Sequence, residues 1–469
     1  MKRHITENRM FSIESLESRI APATIIVGNL NDSGVGSLRQ AIIDANATTT
    51  IDDVIKFAPG VEGVITLASG LIISDDVKIS GGGRIGISGN NAQRPFFIGG
   101  DIDVTLAGLD ITNGSAVSFS GGVDAYNGLG TELNLTIKNC LITGNSCTGT
   151  QGGGVYFNGG SSGTLTVINS KISGNTVTGA GGDGGGIFFR KGSLVMANSI
   201  VSGNTANDAG GGIYVDEGII NISSSTISAN TGATGGGIRM DTGSGTSLTM
   251  TGVKVVGNSS ASTGGGMNID CPNVVLNLCT FSGNISSTGG GGGYIDNDSG
   301  GGVNGVVKIT GCKVNGNRAG GNGGGFYIDN TISKVRITGS KFSDNFAGGA
   351  GGGIHFFGNS AQDARIALSS FLTNRADGSG GAINIGDGIM QIAATLFSQN
   401  SAGNGGAIDI DSGVDGFTMT GGSILNNTAE SAGGGIRESV AFAPLLSGVS
   451  VNHNTAPSGT NLSGTFTIL

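Results

Sequence analysis

The chain has no tryptophan, six prolines, three histidines and five cysteines in 469 residues, and only 12% of it is charged. Each scarcity excludes something. Without Trp, and with aromatics at 5%, any platform for stacking sugars must be built from Tyr or Phe. His4, His355 and His453 are far apart in the chain, and neither a histidine metal cluster nor a Ser-His-Asp grouping stands out. No apolar run reaches the length of a membrane-spanning helix. Positive charge is the scarcer sign, 24 Lys and Arg against 33 Asp and Glu, for a net charge of -9. That balance argues against nucleic acid or an anionic membrane as partner and leaves cations, calcium included, allowed. The odd cysteine count fixes no compartment.

What is abundant is glycine, 93 residues, and it is periodic. An apolar-x-x-Asn element recurs twelve times, ending at Asn145, Asn175, Asn204, Asn230, Asn258, Asn284, Asn317, Asn345, Asn374, Asn400, Asn427 and Asn454. Successive gaps run from 26 to 33 residues. Such a period predicts a solenoid rather than three ordinary domains, and it assigns the glycine to turns rather than to collagen or disorder. Three residues before each asparagine the side chain is Ile, Val or Phe, as at Ile172, Val255 and Phe371. After each glycine-rich turn comes an apolar residue, and in most copies a second follows at i+2, as at Ile187 and Phe189 or Ile383 and Ile385. Period two is strand periodicity, and the segments are too short and glycine-rich for helical repeats. The expected fold is all-β, a single-stranded right-handed parallel β-helix. It has about twelve regular coils over 135–469, a cap and first coils over 23–134, and a leader over 1–22.

The later repeats, Phe371-Leu372-Thr373-Asn374 with Gly380-Gly381-Ala382-Ile383 and Phe397-Ser398-Gln399-Asn400 with Gly405-Gly406-Ala407-Ile408, resemble the paired F-x-x-N and G-G-A-[ILV] motifs of polymorphic outer-membrane protein passengers. More broadly, residues 135 to 455 resemble right-handed, pectate-lyase-like β-helix surface proteins. That resemblance implies an extracellular or cell-surface location. Against the outer-membrane family, the chain ends at Leu469 without a block of barrel strands, so an autotransporter route is not implied. The stretch from Asn29 through Asp32-Ser33-Gly34 to Ser37-Leu38-Arg39-Gln40-Ala41-Ile42, with Ser88-Gly89-Asn90-Asn91, is similar to the opening of bacterial extracellular β-helix repeat proteins. Leu16-Glu17-Ser18-Arg19 resembles a short motif near the N-terminus of large exported surface proteins. Met1-Lys2-Arg3-His4 is basic but no apolar stretch follows, so no ordinary secretory signal is expected.

Ser37, with Gln40 three residues later, predicts a short amphipathic helix whose place across the first coil would block a pairing edge. Separate strands are expected at Val77 to Ile79 and Ile85 to Ile87, with a turn at Gly81-Gly82-Gly83 between them. Residues 116–134 read as a glycine-rich transition, and Gly464 to Leu469 as a last strand whose open edge is covered by a loop, the favoured reading, or shared with a second copy in self-association, or the point where the rod docks.

Four groups of residues raise chemistry. The twelve asparagines predict a coil-to-coil amide ladder, with Asn also suited to the left-handed turn. The glycine triplets precede strands, not helices, which excludes a nucleotide cradle. Cys140, Cys279 and Cys312 share a column with Ser170, Ser199 and Ser340, a slot for small buried side chains. Consecutive Cys279 and Cys312 are near enough for a disulfide, but parallel side-chain vectors favour thiols. Cys147 and Cys271 fit no column. Asp216, Asp241 and Asp270 fall at one position on consecutive coils, either ending strands as turn residues or forming a calcium site or a strip that grips sugar hydroxyls. Arg239, two residues before Asp241, is the base candidate of a lyase-like reading, the two forming its catalytic set. His355 alternates with Ile354 and Phe356 and is expected outward and solvated. The longest gap, around Asp296-Asn297-Asp298, is the expected place for a binding loop. The overall expectation is a non-enzymatic surface rod, adhesin-like or structural, contacting polysaccharide or another surface component. The alternative is a polysaccharide lyase or glycoside hydrolase acting on acidic glycans, and a third reading is a layer protein joined end to end.

Overall fold

The computed structural model describes residues 24–48, 53–128, 132–241, 245–298, 305–329, 331–358 and 362–469. The leader motif, and Ser299 to Gly302 of the longest gap, lie outside the described residues. The chain winds about 15 turns of a right-handed parallel solenoid, with one short helix. One turn is made of Ile187–Lys191, Ser193–Ala197, Ile200–Ser202 and Thr205–Ala206. Each pairs in parallel with its successor: Ile213–Val215, Ile219–Ser223, Thr226–Ser228 and Thr231–Gly232.

Strand alternation sends Ile187, Phe189, Leu194, Met196 and Val201 inward, all fully buried. Because the coils stack in register, like sits on like. Phe342, Phe371 and Phe397 form a stack with ring centroids 4.7 and 5.1 Å apart. Each such side chain contributes about 1.5–3 kcal/mol from burial.

The asparagine column is a continuous buried ladder. From Asn145 to Asn427 each side-chain amide donates to the Oδ1 of the next asparagine at 2.8–3.0 Å. The second amide hydrogen of Asn258 goes to the Ile227 carbonyl at 3.0 Å, and the Asn230 backbone N–H donates to Asn258 Oδ1 at 3.0 Å. Asn454 closes the row on Asn461 at 3.1 Å. The left-handed conformation falls elsewhere than expected. It belongs to the residue before the ladder asparagine, such as Gly174 (φ +61°) or Thr373 (φ +54°), and to a second corner such as Asn169 (φ +49°). A ladder asparagine must aim its amide along the stack, so the corner is turned by its neighbour.

The small-residue slot is a second ladder. Ser170 N–H donates to Ser199 Oγ at 3.2 Å, and Cys279 N–H to Cys312 Sγ at 3.4 Å. All five cysteines are buried and free. Cys147 does have a column: it stands in register with Ala116 and Val177 on the shortest strands.

At the N-terminal end, Ser37 Oγ accepts from Gln40 N–H at 3.2 Å and caps the helix Leu38–Ala45. Gln40 turns to Asp44 at 2.8 Å instead of back to the cap, so only half of a capping box forms. Arg39 donates to the Gly70 and Ser69 carbonyls at 2.8 and 2.6 Å, and Asn46 brackets Ile72 and Ser74 at 2.8 and 3.0 Å. The edge of Leu71–Ile73 is thereby occupied. Two expectations need correction. Val77–Ser88 is one strand whose register shifts between Ser80 and Ile85, because the glycines bend it without ending it. The described part of 116–134 is coil, not transition: Ser115–Ala116 and Val123–Tyr126 pair with the next turn.

Replacing Asn258 by Ala removes hydrogen bonds from buried Asn230, Ile227 and Asn284. The expected loss is about 3–6 kcal/mol, read as a lowered urea midpoint. Leu278 and Leu368 sit at φ +53° and +52° with 68% of each exposed. Exchange of either for Asn, which coils nearer the N-terminus use at this corner (Asn139, Asn169 and Asn198), raises stability by about 0.5–1 kcal/mol in the same assay.

Candidate functional site

On the strand after each glycine turn, the residues between the inward pair face out. Register places these outward residues in one long row. Tyr156, Phe188 and Tyr214 are consecutive, then Arg239 and Asn268, then Tyr294, Tyr327 and His355. The first glycine of the triplet folds the preceding loop back along this row. Gly235 has φ +59°, and a Cβ on it would lie 2.9 Å from the Arg239 Cβ. The loops therefore form a wall, and the row becomes the floor of a groove.

The aromatic rings spend their faces on each other. Centroids are 5.5 Å apart for Tyr156 and Phe188, 4.9 Å for Phe188 and Tyr214, and 4.5 Å for Tyr294 and Tyr327. Tyr156 and Phe188 are buried. The row thus presents ring edges, not platforms. His355 corrects the solvated expectation. It is outward but only 5% exposed, covered by Tyr327 and by Asn322, whose amide lies 3.5 Å from Nε2. Burial pushes its pKa down to about 4.

Where the aromatic row is interrupted, a polar depression of about 380 Å³ opens, lined by Asp208, Thr234, Arg239, Asp241, Thr263, Asn268, Tyr294 and Asp296. Arg239 lies 3.2 Å from Asp241 Oδ1 and donates to Asn268 Oδ1. Asn268 donates to Thr263 Oγ1 at 2.5 Å. Tyr294 donates its hydroxyl to Asp329 at 3.0 Å. Asp241, Asp270 and Asp296 stand side by side in register. Asp216 approaches Arg190 instead, at 3.9 Å. The aspartate column is thus divided between arginine partners. Among the described residues no group of three or more His, Cys, Asp or Glu is placed to hold a metal ion.

Burial raises the Asp296 carboxyl to about 8, helped by the charges of Asp270, Asp298 and Asp329, and its buried Oδ1 has no hydrogen-bond partner among the described residues. Asp183 is raised to about 7, again chiefly by burial. The sequence offered no sign of Asp183, which stands in a wall loop and faces Asp208 and Asp241 only after the chain coils. Asp183 and Asp296 are about four coil steps apart, roughly 19 Å along the rod, which is too far for a pair of carboxyl groups flanking one glycosidic bond. Asn297, from the longest gap, is fully buried, and its N–H donates to Thr331 Oγ1 at 2.8 Å.

Comparison with known proteins agrees with this geometry. Residues 133–270 match the family described as right handed beta helix region. The chain is a right-handed parallel β-helix. Residues 394–411 of this β-helix match the Chlamydia polymorphic membrane protein repeat, at the Phe397 and Gly405-Gly406-Ala407 copy of the motif. A probable pectate lyase C of Aspergillus terreus is 31% identical over 158 residues, covering 29% of this chain. The match spans 36% of that relative's length. No solved structure matches.

The raised carboxyls set a pH dependence. Asp296 and Asp183 hold protons in the folded state that the unfolded chain releases near the ordinary carboxylate value, so stability is greatest below that value and is lost as pH rises toward 7 and 8. The thermal midpoint is expected to fall between pH 5 and pH 8. Asp296→Asn flattens that fall in differential scanning fluorimetry.

Proposed function

We propose that this β-helix is an exported surface rod that holds a hydroxyl-rich polysaccharide in the groove beside Arg239 without cleaving it. The observation that carries this reading is the engagement of Arg239 by Asp241 and Asn268. A lyase-type reaction needs a basic group free to take a proton from substrate. Here the guanidinium is tied down and flanked by the carboxylates of Asp208 and Asp241, a setting that repels polyuronate. The same groups, with Thr234, Thr263 and Tyr294, supply donors and acceptors suited to sugar hydroxyls. Groove contacts repeated along the rod add up through avidity. The Chlamydia-type repeat supports a surface location. Among the described residues no helix is long and apolar enough to cross a membrane.

A second reading, an enzyme acting on acidic glycans with Arg239 and Asp241 at its centre, draws on the pectate lyase relative. One experiment separates the two. Purified protein is run through gels containing neutral or acidic polysaccharide, with and without calcium, while newly formed chain ends are assayed. Retardation by a neutral glycan, weakened about tenfold by Asn268→Ala, with no new ends, is the expected result. Calcium-dependent cleavage of polyuronate that disappears in Arg239→Ala overturns the binding reading in favour of the enzyme.

A further inference from the structure

The face that follows the groove strand around the coil has a different character. Register carries one line of outward positions from Asp103 through Thr164 and Ile219 to Lys334. Its two ends differ in charge. At one end Asp76, Asp101, Asp103 and Glu132 line a shallow depression of about 250 Å³, with Lys78 and Lys138 as the opposing cations nearby. At the other, Lys308, Arg336 and Arg365 stand in register on three consecutive coils beside Lys334. Asp363 beside them reaches Arg336 at 2.5 Å and Arg365 at 3.6 Å. Lys308 and Lys334 are exposed and enter no ion pair among the described residues. Like charges in register on adjacent strands are destabilising, and other coils of this face place Thr136, Thr166 or Thr249 where these cations stand.

Between the ends the face is neutral, and its midpoint is apolar. Ile219 is four coil steps from Asp103 and four from Lys334. It is 47% exposed, and Val195 on the preceding coil is 38% exposed. We propose that this face is a self-complementary docking surface on which two copies of the chain pair antiparallel. The two-fold axis lies in the interface plane, along the strand direction through Ile219. That rotation reverses the rod, so Asp103 of each copy meets Lys334 of the other, while Ile219 meets its own symmetry mate. The shared coil rise keeps both charged ends in step. The contact is roughly 45 Å by 15 Å, or about 700 Å² per partner, close to that of a standard stable interface. An isologous contact of this kind closes as a dimer rather than growing into a filament. An external anionic polymer would engage the lysines alone and leave the acidic end and the apolar centre without a partner. A second copy uses all three, and it leaves the groove open.

The test uses the full chain. At about 20 μM and low salt, sedimentation velocity is expected to show a dimer that weakens at least tenfold in 500 mM NaCl, since exposed pairs are screened. Lys334→Glu and Asp103→Lys each weaken it about tenfold, and the double variant restores it. Within one copy positions 103 and 334 lie roughly 38 Å apart, so a variant carrying Asp103→Cys and Lys334→Cys can form that disulfide only between copies. The native cysteines are buried and do not compete. Oxidation is expected to give a cross-linked pair, and Ile219→Cys alone a symmetric one. A monomer at both salt concentrations, with neither cross-link, overturns the proposal. So does a monomer that binds a polyanion such as heparin through Lys308 and Lys334.

Discussion

Every coil from Asn145 to Asn454 depends on one interaction, the buried amide row. An unpaired donor or acceptor inside a β-helix has no water to turn to, so each ladder asparagine must be completed by the coils on either side. Asn204 illustrates the bookkeeping. Its amide gives to Asn230 and to the Ile172 carbonyl, while its oxygen takes from Asn175 twice. Apolar stacking drives collapse, but it tolerates slippage of one coil on the next. The amide row does not, because a shift of one residue would strand several buried polar groups at once. Register is therefore set by polar groups and stability mainly by the Ile, Val and Phe around them.

That fixed register is what makes surface chemistry possible on a repetitive fold. Outward positions inherit the same exact alignment as inward ones, so a substitution on one coil is automatically beside its counterparts about 4.8 Å away. The chain uses this in two ways. Along the groove, aromatic rings stack until Arg239 and Asn268 interrupt them and open a polar depression. On the neighbouring face, threonine rows give way to cations over three coils. Both departures cost something in a stack that would be most stable if uniform. The raised Asp296 carboxyl and the in-register cations mark where that cost falls.

Repetition made much of the protein legible before any coordinates. The twelve asparagines, the alternating apolar positions and the Ser37 cap each carry a short-range or strictly periodic signal, and the fold follows from them. Arg239 and Asp241 were visible as neighbours in sequence, and the structure does place them 3.2 Å apart. The left-handed corners were assigned to the wrong residue because Asn is common at both the ladder and the corner. His355 was misplaced because strand alternation gives only a direction. It does not say that the loop holding Asn322 folds back over the outward side.

Coil type, coil number and the buried columns were determined by the sequence itself, since a period near 28 residues forces like residues to stack. Tertiary structure alone decided what the outward residues meet. Asp183 lies in a loop far along the chain from Asp241, yet their charges interact, because winding turns separations of tens of residues into one coil step. Asp103 and Lys334 share a face for the same reason. Their placement depends on which side of each strand they fall and on which coil face that side joins, and this is decided only once the chain is wound.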